Sequence, residues 1–437
     1  MKKGIILIIL HCMNKVLIIA YYFPPMAMGG VQRTLKIAKY IQNFGWQPVL
    51  LTTTPGKLTI IDNYLLEEAN RSGIIIERTG DGIIKSGEKI NIIQKEGFPK
   101  IRKIWTSFFK IPDAQSGWIK KATKKADEIW KKYGGFDLIY ATAPPFSDFL
   151  VGQELKKKYK KNLVIDYRDA WVDSYNLNFY PTTIHRILNE SKEKLVIRDA
   201  NLVITTNRRT KELIIQRYNN IEYNDVKIYP HFYDKEDFDI AKSKNLPYTT
   251  KLRITYTGSM HSRGLKLFFK SVKKFKLKYP SICNEVEFLY LGLVTKELMK
   301  MANKCGIRNH LNIPGYVNHH ECVKYLLTSD ALFLHIKNRK NSDAALQGTT
   351  ADYIGSGKYI IACIPEGVTK NILKEYRAID FIDDYNPEKI AEVYKKLYEL
   401  RKTKSIPLPD EKTVEKYEVQ QYVEELAREF NYLLDVD

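Results

Sequence analysis

Residues 15–41 read KVLIIAYYFPPMAMGGVQRTLKIAKYI, and this stretch decides the fold. Its apolar, β-branched start (15–22) predicts a buried strand, and the amphipathic segment VQRTLKIAKYIQNFG (31–45) predicts a helix. Two prolines end the strand and two glycines open the helix, because proline cannot donate a ladder hydrogen bond and glycine reaches backbone angles closed to other residues. The order strand, tight turn, helix predicts the first unit of a parallel sheet with crossover helices.

The same alternation continues along the chain. In the first half we predict strands at residues 15–22, 47–53, 74–79, 137–142, 162–167, 201–206 and 225–230. A polar stretch (234–251) is expected to end the apolar periodicity, and a second series of strands is predicted at residues 252–259, 285–292, 311–316, 331–336, 359–365 and 378–383. This pattern is typical of doubly wound parallel sheets. The predicted fold class is α/β, with two Rossmann-like domains facing a central cleft.

Length and composition limit the class of protein. The chain has 437 residues, of which 44% are hydrophobic and 27% charged, as in ordinary globular proteins. Its five cysteines form no C-x-x-C pair, so we expect a reducing cytosol and no metal. The formal net charge of +20 favours an anionic partner, namely nucleic acid, an acidic bilayer or a phosphorylated small molecule, although each lysine run also fits a plain solvated surface.

The first residues, MKKGIILIILHC (1–12), look like a short signal sequence. Their apolar run is too short to cross a bilayer, and no small-residue cleavage site follows. We interpret Met13 as the true first residue. No later segment contains about 18 uninterrupted apolar residues, so no membrane-spanning helix is predicted.

Ligands of open parallel sheets bind beyond the carboxyl ends of the strands, so the residues there are candidates for a site. In the first half, Gly29 and Gly30 bring main-chain N–H groups and a helix start to this edge. That arrangement suits an anion or a sugar, and equally a strained structural turn. The motif IDYRDAW follows another strand, and we interpret Asp166 as the partner of Arg168. Asp169 is then available to bind hydroxyls or to accept a proton.

The second half offers a similar edge in YTGSMHSRGLK (256–266). The predicted strand closes on Gly258 and Ser259. Arg263 and Lys266 lie at the start of the next helix, where cations and free amides together can hold a diphosphate.

A further segment of the second half is LQGTTADYIGSGKYIIACIP. Gly348, Thr349 and Thr350 are predicted to form a loop that caps a helix, and Asp352 is placed in its first turn. A carboxylate there can accept hydrogen bonds from both ribose hydroxyls while the preceding amides bind phosphates. By itself the pattern is also an ordinary helix cap, but together with the preceding segment it predicts a nucleotide diphosphate pocket.

Six segments form a recognisable series: KVLIIAYYFPPMAMGGVQRTLKIAKYIQNFGWQPVLLT, PDAQSGWIKKA, FDLIYATAPPFSDFLVGQELKKKYKKNLVIDYRDAW, VKIYPHFYDKEDF, ITYTGSM and TADYIGSGKYIIACIP. In order and spacing they resemble the family 4 retaining glycosyltransferases of the GT-B fold, especially bacterial members from surface-polysaccharide clusters. The resemblance implies an N-terminal acceptor-side domain (1–240) and a C-terminal nucleotide-sugar-binding domain (250–410). It also implies a final helix (411–437) that packs back on the N-terminal domain.

The resemblance also implies an activity and its residues. The expected enzyme is a cytosolic, retaining, metal-independent transferase of the hexosyltransferase type, with a nucleotide-diphosphate-sugar donor as substrate and no cofactor. The family's glycine pair corresponds to Gly29 and Gly30. Its phosphate-binding cation corresponds to Arg263, with Lys266 nearby, and its ribose-binding glutamate corresponds to the position of Asp352.

This chain departs from the family pattern in one run and at three positions. The run is GTTAD, where relatives typically read G-K-L-F-E. The shorter Asp352 replaces the usual glutamate, and Ala344 stands where the first acidic residue of a paired pattern falls. Ser259 takes the place of an arginine that often follows the strand-end glycine. Arg263 is therefore expected to be the main guanidinium on the leaving group, because the departing diphosphate gains negative charge.

The expected acceptor is a glycan or polyprenyl-linked molecule, in cell-envelope polysaccharide synthesis at the inner face of the membrane. Docking on anionic lipid is expected to use aromatic residues interleaved with lysines. These aromatic residues are Trp105, Phe108, Phe109 and Trp118.

Three alternatives stay open. A nucleotide-sugar epimerase or hydrolase could share this fold, because a fold does not fix a function. A relative that has lost donor binding is a second alternative. A nucleic-acid-binding protein would explain the charge, but no helix-turn-helix, RRM or zinc motif supports it, so no nucleic-acid partner is expected.

Overall fold

The computed structural model describes residues 13–56, 59–80, 110–175, 180–219, 221–258 and 263–435. These residues form two compact units. Unit 1 contains the described residues up to Pro230 together with those from Val419 onward, and unit 2 runs from His231 to Glu418. Within the described residues the chain passes between the units twice, after Pro230 and after Glu418.

Unit 1 is built on a parallel sheet of seven strands. In chain order the strands are β1 (Asn14–Ile19), β2 (Trp46–Thr53), β3 (Ile75–Thr79), β4 (Leu138–Ala143), β5 (Asn162–Tyr167), β6 (Leu202–Thr205) and β7 (Val226–Ile228). Across the sheet their order is β3-β2-β1-β4-β5-β6-β7. The helices described in unit 1 are α1 (Val31–Tyr40), α2 (Asn63–Arg71), α3 (Ile119–Tyr133), α4 (Ser147–Tyr159), α5 (Thr183–Asp199), α6 (Arg208–Arg217) and, at the end of the chain, α16 (Val419–Asp435).

Unit 2 repeats this plan with six parallel strands. The strands are β8 (Leu252–Thr257), β9 (Val286–Leu291), β10 (Leu311–Gly315), β11 (Ala331–His335), β12 (Tyr359–Cys363) and β13 (Ile379–Phe381), in the spatial order β10-β9-β8-β11-β12-β13. The helices described here are α7 (Lys235–Lys242), α8 (Arg263–Lys278), α9 (Pro280–Cys283), α10 (Lys296–Cys305), α11 (His319–Leu327), α12 (Gly348–Ser356), α13 (Val368–Lys374), α14 (Pro387–Lys402) and α15 (Glu411–Glu415).

Each strand predicted from the sequence is present, and its ends lie within three residues of the expected ones. The largest difference is at β1, which ends before Tyr21. The main-chain N–H of Tyr21 donates to a side chain, Asp148 Oδ2 (2.9 Å), instead of continuing the ladder. The polar stretch 234–251 was wrongly expected to lack apolar periodicity, because it contains α7 with Phe238 and Ala241 buried.

The strands are apolar because helices cover both faces of each sheet. In β1, Val16 to Ile19 are at most 1% exposed. Helix α16 packs where strands of unit 1 begin: Trp46 Nε1 donates to Asn431 Oδ1 (2.9 Å), and Asn162 Nδ2 donates to the main-chain oxygen of Leu433 (2.7 Å). The C-terminal helix therefore lies at the amino ends of the strands and leaves their carboxyl ends to the loops.

One aromatic residue expected to dock on lipid is part of the core. Trp118 is buried, and its Nε1 donates to Thr79 Oγ1 (2.7 Å), so its assignment to a lipid surface is wrong. Trp105, Phe108 and Phe109 lie outside the described residues. Among the helices of the described ranges, none has the length and apolar character needed to cross a bilayer.

Candidate functional site

The strand order places a topological switch point in each unit. In unit 1, β1 lies between β2 and β4, and in unit 2, β8 lies between β9 and β11. Chains leave neighbouring strands in opposite directions at such a point, which opens a crevice at the carboxyl ends. The loops after β1, β4, β8 and β11 are therefore the places to examine for chemistry.

The proline loop after β1 is held by main-chain contacts from its neighbours. Arg78, at the end of β3, donates to the main-chain oxygens of Thr53 (3.1 Å) and Pro24. The main-chain N–H of Asp62 donates to the oxygen of Pro25 (2.7 Å). The described residues offer the Arg78 guanidinium no carboxylate, and burial lowers its pKa to about 10. These hydrogen bonds hold the proline loop in a defined position at the carboxyl edge of the sheet.

Gly30 is the N-cap of α1 and has a left-handed φ of 86°. A Cβ atom at this position would collide with the Arg168 guanidinium, so only glycine lets the two groups approach. Gly29 is exposed, and a Cβ atom there would meet no atom of the described residues within 4 Å. The glycine pair therefore has two functions: Gly30 accommodates Arg168, and Gly29 leaves the main chain open to solvent.

The structure corrects the predicted pairing of Asp166 with Arg168. Asp166 instead binds Arg33 of α1 through both carboxylate oxygens, with Nε–Oδ2 and Nη2–Oδ1 distances of 2.9 and 3.1 Å. Tyr140 Oη and Thr142 Oγ1 also donate to Asp166 Oδ2. Burial by itself raises the pKa of Asp166, but Arg33 and these hydrogen bonds more than offset it, so the pKa is lowered. Sequence proximity misled the prediction, because the carboxylate is taken by Arg33, 133 residues away in the chain, while Arg168 Nη2 donates to the main-chain oxygen of Pro144.

Two acidic residues that the sequence analysis did not select lie at the same edge. Asp113 accepts from Ser147 Oγ (2.6 Å) and from the main-chain N–H of Gln115 (2.9 Å). Asp148 is 1% exposed, and its Oδ1 atom has no hydrogen-bond partner among the described residues. Burial raises the pKa of Asp113, and it raises the pKa of Asp148 well above its usual range. The motifs PDAQSGW and PPFSDF contain both residues, but nothing in their spacing indicated that they would meet.

Asp169 is partly exposed beside this cluster. Burial raises its pKa, and the neighbouring Arg168 acts in the opposite direction. A carboxyl group with a raised pKa at a strand end can hydrogen-bond a hydroxyl or exchange a proton with it. The predicted role of Asp169 stays a prediction.

In unit 2, three glycines bring the ends of neighbouring strands close together. The main-chain oxygen of Gly258 accepts from Tyr290 Oη (3.2 Å), and a Cβ atom at Gly292 would collide with that same oxygen. A Cβ atom at Gly264, in the first turn of α8, would lie 2.6 Å from Tyr256 Oη and 2.8 Å from the ring of His335. The start of α8 therefore lies directly against the ends of β8 and β11.

The predicted phosphate-binding cations are placed only in part. Helix α8 begins at Arg263, next to Gly264, but the Arg263 side chain lies outside the described residues, as does Ser259. Lys266, one turn into α8, is exposed. The backbone thus puts a helix start at the switch point, and the contacts of Arg263 and Ser259 with any ligand stay predictions.

The segment GTTAD is arranged differently from the prediction. Gly348, Thr349 and Thr350 form the first turn of α12 itself, after Gln347 as N-cap. Asp352 is the fifth helical residue and is partly exposed, so its assignment to the first turn is wrong. The helix starts early because Gln347 takes the extended N-cap conformation, which the sequence analysis had assigned to the threonines.

Helix α12 is joined to the end of β8 through one hydroxyl group. Tyr353 Oη accepts from the main-chain N–H of Thr257 (3.0 Å) and lies 3.0 Å from Thr257 Oγ1. Thr257 directly precedes Gly258. The two segments of unit 2 that were selected as a nucleotide pocket therefore meet at one switch point. Thr350, in the first turn of the same helix, is buried, and its Oγ1 atom has no hydrogen-bond partner among the described residues.

His335 is a further residue of this edge that the sequence analysis missed. It ends β11, is 8% exposed and packs edge-on against Tyr385. Burial lowers its pKa to about 4, so the ring is neutral at pH 7. A histidine at the end of an apolar strand, four residues after a predicted strand start, was the available sequence signal.

No protein-family model and no curated protein sequence matches this chain. Solved structures do match it along nearly its whole length. A glycosyltransferase from Rickettsia africae ESF-5 has a TM-score of 0.64 at 15% identity, with 97% of this chain and 99% of that chain covered. The two units form a GT-B fold.

Two further structures with this fold act as reference points. The trehalose-6-phosphate structure from E. coli bound with UDP-2-fluoro glucose has a TM-score of 0.60 at 10% identity and covers 95% of this chain and 99% of that chain. A UDP-N-acetylglucosamine 2-epimerase has a TM-score of 0.52 at 11% identity and covers 96% and 97%. At these identities the likeness shows the fold and leaves the reaction open.

Proposed function

We propose that this protein is a retaining, metal-independent glycosyltransferase of the family 4 type. It transfers a sugar from a nucleotide-diphosphate-sugar donor to a glycan or lipid-linked acceptor in cell-surface polysaccharide synthesis. The observation that carries the proposal is the Tyr353 hydroxyl, which joins α12 to the main chain directly before Gly258. This contact brings together the two segments whose residue types suit a diphosphate and a ribose.

In the proposed reaction the bond between the anomeric carbon and the diphosphate oxygen breaks, and the diphosphate leaves with the electron pair. The acceptor oxygen bonds to the anomeric carbon from the same face, and its proton passes to the leaving phosphate. Arg263, Lys266 and the N-terminal amides of α12 stabilise the developing negative charge. Asp169 orients the acceptor, and Asp352 holds the ribose.

The test begins with donor binding. We expect one common nucleoside diphosphate or nucleotide sugar to raise the melting temperature, because a ligand that binds only the folded state stabilises it. Asp352→Ala should weaken that binding about tenfold, and Arg263→Ala should lower turnover about a hundredfold. Lys270→Ala, an exposed lysine on the same helix, is the matched control. If no nucleotide raises the melting temperature of the native protein, the assignment of the nucleotide pocket is wrong.

An epimerase or hydrolase is the second candidate, and the likeness to a UDP-N-acetylglucosamine 2-epimerase supports it. The two functions differ in their need for an acceptor. Conversion of a nucleotide sugar by the purified protein alone, followed by sugar analysis, would favour the second candidate. A product that appears only with added acceptor glycan would favour transfer.

We place the protein at the inner face of the membrane, with α5 as the docking element. Ile184 and Ile187 on this helix are 66% and 56% exposed. The same helix carries the exposed cations Lys194 and Arg186, the latter paired with Glu190. Apolar side chains with neighbouring cations suit an anionic bilayer. Ile184→Gln with Ile187→Gln should reduce co-sedimentation with phosphatidylglycerol vesicles, whereas Leu277→Gln, at a 68% exposed leucine of α8, should not. Equal losses in both variants would contradict the assignment.

A further inference from the structure

Arg168 is a buried cation whose main chain is fixed on both sides. It directly follows β5, and its N–H donates to the oxygen of Ala143 (2.9 Å). Its own main-chain oxygen accepts from Thr206 Oγ1 (3.0 Å). The side chain is only 5% exposed. The guanidinium therefore has a defined place at the carboxyl edge of unit 1.

The guanidinium itself has few partners. Arg168 Nη2 donates to the main-chain oxygen of Pro144, and within the described ranges neither Nε nor Nη1 donates to any group. The same ranges provide no salt bridge to this arginine. Removing a guanidinium from water without a counterion is unfavourable, so an unpaired one at a crevice points to a ligand that pairs with it.

The guanidinium packs against the start of α1. A Cβ atom at Gly30 would lie 2.8 Å from Arg168 Nε and still closer to Nη1. Gly30 gives α1 no side-chain cap, and the first turn of this ten-residue helix contains no acidic residue. The positive end of the helix and the guanidinium therefore act on the same point, an arrangement that favours an oxyanion.

The acidic groups around Arg168 act on it electrostatically, from Asp166, Asp148 and Asp169, without a direct ion pair among the described residues. Asp166 is paired with Arg33, and within the described ranges neither Asp148 nor Asp169 forms a salt bridge with Arg168. Asp148 also keeps an unpartnered, buried Oδ1 atom within electrostatic range of Arg168. The edge thus combines a guanidinium that forms no salt bridge within the described ranges with a carboxyl group that can bond a hydroxyl.

We propose that Arg168 and the N-terminus of α1 bind an oxyanion of the acceptor, so that the acceptor substrate is a phosphorylated or carboxylated molecule. Asp148 then contacts a hydroxyl group beside that oxyanion. This inference rests on the proposed function, because it takes unit 1 as the acceptor side. Arg168 is then a specificity-determining residue that favours acceptors with a negative charge.

Inorganic phosphate is the probe, titrated by calorimetry and by thermal shift against chloride at constant ionic strength. We expect the native protein to bind phosphate, Arg168→Gln to raise the apparent Kd at least tenfold, and Arg168→Lys to raise it about threefold because the planar fork is lost. Arg208→Gln removes an exposed arginine of the same unit and should leave the Kd unchanged. Equal phosphate binding in the native protein and Arg168→Gln overturns the proposal. If Arg168→Gln does not fold, Arg168→Lys decides, since an unchanged Kd there also overturns it.

The nucleotide measurements separate this inference from the proposed function. If a nucleotide still raises the melting temperature of Arg168→Gln while phosphate binding is lost, the result supports both the acceptor site and the proposed glycosyltransferase. Phosphate binding at Arg168 without any nucleotide effect supports the oxyanion site and overturns the glycosyltransferase. If Arg168→Gln loses nucleotide diphosphate binding as well, the oxyanion belongs to the donor, and the assignment to the acceptor is wrong.

Discussion

The two switch points hold the loops at the carboxyl ends of their strands with different chemistry. In unit 1 the loops after β1, β4 and β5 are organised by buried charges, chiefly the Arg33–Asp166 pair and Arg168. In unit 2 the loops after β8 and β11 are organised by neutral groups, namely the Tyr353 and Tyr290 hydroxyls. Buried charges demand defined partners, whereas hydroxyls and close-packed glycines hold a loop without a net charge. Unit 1 is therefore sensitive to loss of a partner, and unit 2 to packing and protonation.

The largest effect is expected from breaking the charge network of unit 1. Asp166→Ala leaves Arg33 buried without its carboxylate and should lower the free energy of unfolding by ~3–5 kcal/mol in urea titrations at pH 7. Asp239→Ala is the control, because its pairing with Lys242 is exposed and 3.5 Å long, and it should change stability by less than ~0.5 kcal/mol. A loss below 1 kcal/mol at Asp166 would show that the network is not what holds α1 on the sheet.

The buried, neutral His335 of unit 2 should affect how the free energy of unfolding depends on pH. The pKa of His335 is about 4 when folded and ~6.5 when unfolded, so its contribution to stability is complete above pH 6.5 and is lost as the pH falls through 4. His335→Phe removes this titration. The native protein should therefore lose up to ~3 kcal/mol more than the variant between pH 7 and pH 4.

Urea titrations of both proteins at several pH values in this range measure the difference. Leu277→Gln, at an exposed and non-titrating position of α8, is the control and should keep the native pH dependence. Parallel curves for the native protein and His335→Phe would mean that the ring is not held neutral at the end of β11.

The smallest effect separates the two adjacent glycines of unit 1. Gly30→Ala introduces a Cβ atom at a left-handed φ and against Arg168, and it should cost ~2 kcal/mol of folding free energy. Gly29→Ala meets no atom within 4 Å and should stay within ~0.5 kcal/mol. Chemical denaturation of both variants measures the contrast, and equal losses would show that Arg168 does not lie against Gly30.

The strands were predictable because parallel strands buried on both faces need uninterrupted apolar runs, and KVLII, NLVI and YIIAC are such runs. The start of α1 followed from the prolines and glycines of its turn. The partner of Asp166 was not predictable, since Arg33 is 133 residues away in sequence. The start of α12 was assigned too late because a Gly-Thr-Thr sequence fits a cap and a first helical turn equally well.

The sequence by itself determined that the chain builds two parallel sheets and which loops lie at their carboxyl edges, because burial and turn chemistry are local properties of the residues. Only the tertiary structure decided which charges meet. Electrostatic partners depend on distances in space, and these are set by the packing of helices against sheets rather than by separation along the chain. The stretch that opens the chain thus encodes the turn, and the fold places Arg168 against its second glycine.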